Sequence, residues 1–174
     1  MEKLEFKRLL FKVAFCTMAC DGHIDSREVD EMKAMNKNTS FFDGVDLSEA
    51  LSDLIEELGH KGVQVIEGLF ATLRGNTLNP IQELLILEVA VRIINSDEKH
   101  DDNEIRFLHL LRAKLDLPDE IIFDRFGDVP LLQTSGFAKP IVAGDSEARF
   151  AEDIKQSLAV DFKDAVSGIG DGGC

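Results

Sequence analysis

Tryptophan and tyrosine are missing altogether from this 174-residue chain, so its aromatic packing rests on 12 phenylalanines. Basic residues are scarce: 19 Lys and Arg stand against 33 Asp and Glu, a formal net charge of −14. That deficit argues against nucleic acid as a partner, because phosphate binding needs clustered Lys and Arg. It argues equally against direct binding to an anionic leaflet. No apolar run approaches the roughly 18 residues that a membrane span needs, so direct membrane insertion is not expected. Three cysteines, an odd number, do not make a disulfide framework. The opening residues, Met1-Glu2-Lys3-Leu4-Glu5, lack a signal-peptide layout, and a cytoplasmic location is the expectation. No P-loop, no Gly-x-Ser-x-Gly elbow and no His-Glu-x-x-His stretch occurs, so no enzyme signature is present.

What the chain does contain is helical period and acid. Hydrophobic residues make up 44%, enough for a core. Leu4, Phe6, Leu9, Leu10, Val13 and Met18 recur at three- and four-residue steps and predict a helix ending near Cys20, with Gly22 as its stop. A second helix is expected from Ser26 to about Asn36. A third, carried by Leu47, Leu51, Leu54 and Leu58, is expected to end at Gly59. Val63, Ile66, Leu69, Phe70 and Leu73 give a fourth, ended by Gly75. Pro80 suits the first turn of a fifth that reaches about Ser96. Ile105, Leu108, Leu111 and Leu115 mark a sixth, and Pro118 opens a short seventh through Phe126.

After Gly127 the period stops and Pro130, Gly136 and Pro140 intervene; one more short helix is expected between about Ser146 and Val160, before a Gly-rich end. The expected organisation is an all-α domain over residues 1–127, a compact bundle of about seven helices. Residues 128–174 form an appendage with a loop, a short helix and a flexible tail.

An acidic signature occurs twice. Asp21, Asp25 and Glu28 reappear 76 residues later as Asp97, Asp101 and Glu104, each set spaced Asp-x3-Asp-x2-Glu. The apolar residues repeat at the same offset: Leu9/Leu85, Leu10/Ile86, Val13/Val89, Ala14/Ala90 and Met18/Ile94 before the acids, Val29/Ile105 and Met32/Leu108 after them. Each copy reads helix, acidic turn, helix. Neither copy buries its apolar stripe alone, so the two are expected to pack as a pseudo-twofold pair that brings the acidic turns near each other.

Helix capping accounts for part of this pattern. Asp25 with Glu28, and Asp101 with Glu104, fit an N-cap acid followed by Glu at N3, at roughly 1 kcal/mol per cap. Capping leaves Asp21 and Asp97 unexplained. Both fall at the C-terminal ends of expected helices, where the macrodipole disfavours an acid. Clustered oxygen donors suit a hard divalent cation, calcium or magnesium first. The stretch from Asp21 to Glu28 is like the second half of an EF-hand loop, but Thr17 and Ala19 stand where its early ligands belong, inside a helical pattern. Zinc is the rival metal, with His23, His100 and Cys20 nearby, but no paired Cys or His spacing supports it. Cys16 and Cys20, one helical turn apart, read as small core residues.

At these residues the chain resembles the tellurite-resistance TerB-like family. That family carries an Ala-Asp-Gly-x-Ile/Leu-x-x-x-Glu turn twice in an all-helical domain. Cys20 to Glu28 is a close copy, and Asp97 to Glu104 a degraded one in which Glu98 replaces the Gly. The resemblance covers about residues 5–126. It implies a helical bundle whose acidic face, formed by Asp21, Asp25, Glu28, Asp97, Asp101 and Glu104, binds a divalent metal. It further implies a non-enzymatic role in stress-response, tellurite-resistance-type or membrane-associated complexes. A related domain serves as an interaction module in a membrane-anchored J-domain co-chaperone.

Three functions therefore compete: a metal-responsive binding domain, a scaffold whose acidic face docks a basic protein partner without functional metal, and a carboxylate-metal phosphoesterase. The last lacks a nucleophile or phosphate-binding loop. The first two are compatible and are the expectation.

Overall fold

A computed structural model describes residues 2–20, 22, 24, 26–96, 102–127 and 147–155. Among these residues the chain forms eight helices and no strand. They are α1 (Lys3–Ala19), α2 (Ser26–Asn38), α3 (Leu47–Lys61), α4 (Gln64–Gly75), α5 (Pro80–Asn95), α6 (Asp102–Ala113), α7 (Asp119–Phe126) and α8 (Glu147–Ile154). The expected all-α bundle is what forms, and the eighth helix falls where the appendage was expected to hold one.

Two helices make the centre. In α1 the run from Leu9 to Ala19 is buried apart from Lys12, and in α5 the residues from Ile86 to Val91 are all buried. A helix apolar all round belongs inside a bundle, and these two pack most extensively on each other. Around them α2 packs on α5, and α6 packs on both α5 and α1. The central helix of the second copy thus carries a flanking helix from each copy. Ala14 and Ala90, equivalent positions in the two copies, are both fully buried.

The helix ends follow local chemistry. Asp46 accepts the Glu49 amide at 3.1 Å as the N-cap of α3. Asn79 and Gln82 form a reciprocal capping box at α5, with Pro80 at the first helical position. One expected stop is corrected. Gly59 does not end α3; the helix runs on to Lys61 and ends at Gly62, whose φ of 58° supplies the left-handed turn. Gly22 takes a φ of 83° and its amide bonds the Ala19 carbonyl at 2.9 Å, so it stops α1 as expected.

The last helix closes the bundle on the side of α4 and α6. Phe150 and Ile154 of α8 are buried. The Phe150 ring stands 6.4 Å from Phe107, which stands 5.7 Å from Phe70. No described helix is long and apolar enough to cross a membrane.

Candidate functional site

Of the six candidate acids, Glu28 and Glu104 lie within the described residues. Asp21, Asp25, Asp97 and Asp101 lie outside them, as do His23 and His100. Glu28 occupies the first turn of α2 and Glu104 the first turn of α6. Both are buried, with 2% and 3% of their surface exposed. This placement departs from ordinary capping. Glu5 and Glu49 stand at the same third position of α1 and α3, and both remain exposed to water. The helix N-terminus favours a negative charge at Glu28 and Glu104, but taking a carboxylate out of water is costly and needs compensation. Glu28 and Glu104 each interact with neighbouring groups.

The approach to the turns is built alike in the two copies. Cys20 is the C-cap of α1 and Ser96, its equivalent, the C-cap of α5; both keep helical backbone angles. Each turns its side chain back on the helix. The Cys20 thiol donates to the Thr17 carbonyl at 3.2 Å, and the Ser96 hydroxyl to the Ile93 carbonyl at 2.6 Å. The Ile93 carbonyl also accepts the Ser96 amide at 3.2 Å, so the hydroxyl adds a second bond to it. Chemistry has diverged here while geometry has not. Across positions 20–28 and their equivalents 96–104, the residues that are identical are Asp21/Asp97, Asp25/Asp101 and Glu28/Glu104.

The cysteines meet the bland expectation. Cys16 and Cys20 are both buried in the core, and burial pushes the Cys16 thiol up to about 12, so it is protonated at neutral pH and unsuited to nucleophilic work.

Two further buried acids escaped notice in the sequence. Glu83 accepts the Asp116 amide at 2.6 Å, tying α5 to the connection before α7. Glu88 accepts from Arg125 at 2.6 Å and lies 3.6 Å from Arg92, so it latches α7 to α5. Arg92 also stands over the Phe41 ring at 5.5 Å. The available signal was the setting: both acids interrupt a helix that is otherwise apolar on nearly every face. Their contacts are those of structural anchors.

Among the described residues no group of three or more His, Cys, Asp or Glu side chains is placed to hold a metal. Carboxylate oxygens, the donors of Glu28 and Glu104, are those a hard cation prefers. No protein-family model, curated protein or solved structure matches the chain.

Proposed function

We propose that this is a TerB-like, non-enzymatic binding domain in which Asp21, Asp25, Glu28, Asp97, Asp101 and Glu104 hold a divalent cation, calcium or magnesium in preference to zinc. The observation that supports the reading is the matched burial of Glu28 and Glu104 at equivalent first turns of α2 and α6. Two carboxylates placed inside by an internal repeat fit a shared charge-balancing group better than they fit exposed caps. A bound cation would supply positive charge to both turns and fix α2 and α6 against the central pair. On this reading the domain works in the cytoplasm, within a stress-response or tellurite-resistance-type complex, as an interaction module for a protein partner.

Thermal melting with EDTA, magnesium, calcium and zinc in turn tests the cation. At 100 times its dissociation constant a ligand stabilises by about 2.7 kcal/mol, a readable shift for a chain of this size. A rise with calcium or magnesium is expected. An identical melting temperature in all four conditions would count against the site.

The net charge of −14 favours a second reading, in which the acidic face docks a basic protein and metal is incidental. Charge reversal at Asp21 and Asp97 should then abolish partner capture and leave melting unchanged.

A further inference from the structure

Three Asp-Gly pairs occur in the chain, at 21–22, 43–44 and 171–172, and Asp43-Gly44 lies wholly within the described residues. Such a pair can close a ring on itself, because glycine has no side chain to screen its own amide nitrogen. That nitrogen attacks the carboxyl carbon of the aspartate before it. The reaction needs a carboxyl open to water, an amide that no other group holds, and backbone outside a helix.

Asp43-Gly44 has all three. The pair lies in the connection between α2 and α3, both residues are exposed, and the Asp43 side chain is 59% open to water. The amides on either side are taken: Asp43 donates to the Ser40 carbonyl at 3.3 Å and Val45 to the Phe42 carbonyl at 2.9 Å. The Gly44 amide between them donates to no acceptor among the described residues. The turn also keeps the glycine in place. Gly44 has a φ of 87°, and a Cβ there would meet Leu4 Cδ1 at 3.2 Å. The fold therefore demands the residue that makes the pair reactive.

The second copy supplies a built-in control. Asp119 stands at the position equivalent to Asp43, its side chain is 62% exposed, and it too pairs with a base, Arg112. The residue after it is Glu120, not glycine.

We infer that Asp43 is a site of spontaneous covalent modification, where the Asp43-Gly44 link converts to isoaspartate. The Gly44 nitrogen forms a bond to Asp43 Cγ. The amide proton and the hydroxyl of the protonated carboxyl leave together as water, and a five-membered imide results. Water then adds to the imide. Cleavage of the bond from Gly44 N to Asp43 C leaves the chain running through Cγ, and cleavage at Cγ restores aspartate. No oxidant or reductant takes part. The isoaspartyl form has one more methylene in its backbone and carries its free carboxylate on Cα. Lys7, 3.6 Å from the Asp43 carboxylate, loses its partner, and the backbone beneath Leu4 shifts. The inference is independent of the cation reading, since it uses none of the six acids.

The test ages the full chain at neutral pH in heavy-oxygen water and maps it by trypsin digestion and electron-transfer mass spectrometry. Each Asp-Gly pair falls on its own tryptic peptide, and residues 38–61 carry Asp43. Heavy oxygen and the isoaspartyl fragment ions should appear at Asp43 and not at Asp119. A turn that opens at little free-energy cost reacts nearly as a free peptide does, so the rate should lie within about tenfold of that of a synthetic 38–61 peptide. Asp43→Glu keeps a charge for Lys7 but would need a six-membered ring, and it should abolish the label in that peptide. Isoaspartate in the synthetic peptide with none at Asp43 of the folded chain overturns the inference. Equal label at Asp43 and Asp119 overturns it as well, because Gly44 would then play no part.

Discussion

Position 7 in the first repeat and position 83 in the second do the same work with opposite charge. Lys7 on α1 reaches Asp43, in the connection that follows α2, at 3.6 Å. Glu83 on α5 reaches the Asp116 amide, in the connection that follows α6, at 2.6 Å. Each ties the first helix of its copy to the loop beyond the second. Lys12 and Glu88 are a second pair of equivalent positions with reversed charge, and Cys20 and Ser96 a third that makes one hydrogen bond with different atoms. A position whose job is structural tolerates a change of chemistry as long as a contact survives. The two halves of the chain are thus a control on each other. Against that drift, three acids per turn keep both type and place, and the pair that is described is buried in both copies.

The largest effect is expected in the shared core. Phe11 and its equivalent Leu87 are both fully buried, and Phe11 meets Phe42 edge to face at 5.6 Å. Phe11→Ala should cost about 3–5 kcal/mol and Leu87→Ala about 2–5 kcal/mol in urea denaturation. Both should shift one cooperative transition. A biphasic melt in either variant would break the comparison, because it would make the halves separate folding units.

The charge-reversed pair sharpens it at smaller scale. Glu83→Ala removes the acceptor of a backbone N–H and should cost about 1–2 kcal/mol. Lys7→Ala loosens a pair whose acid is open to water and should cost about 0–1 kcal/mol. Equal costs would contradict the structural assignment.

Glu83 also predicts a pH dependence. Burial pushes its carboxyl up; the Asp116 N–H opposes the rise, and the Asp116 charge adds to it. A carboxyl raised in the fold holds its proton more tightly there than in the unfolded chain. Its favourable share is present at acid pH and is lost as pH rises through the raised folded value. Glu83→Gln should flatten that part of the stability-against-pH curve.

Much of this architecture could be read in the sequence. Apolar period placed seven helices, and the 76-residue repeat called for its two copies to pack together; that α1 and α5 are the elements in contact came from the structure. The end of α3 was misread: Gly59 and Gly62 offer the same residue three positions apart, and the choice of Gly62 is made by backbone conformation, which composition does not record. The burial of Glu28 and Glu104 was also hidden. Their spacing from Asp25 and Asp101 is that of an ordinary exposed cap, and only tertiary packing decides which helix starts are covered. The seat of α8 was illegible for the same reason. Phe150 and Ile154 mark an apolar face, but the face of the bundle that receives it is set by Phe107 and Arg106, more than forty residues away.

The central claim is that the two acidic turns make one cation site. Isothermal calorimetry with calcium and magnesium on the wild type, on Asp21→Asn and on Asp97→Asn tests it most directly. The account predicts one cation per chain, with either single substitution removing most of the heat, since each turn supplies half of the donors. Two sites of which each substitution removes only its own, or a wild type that takes up neither cation at millimolar concentration, would contradict it.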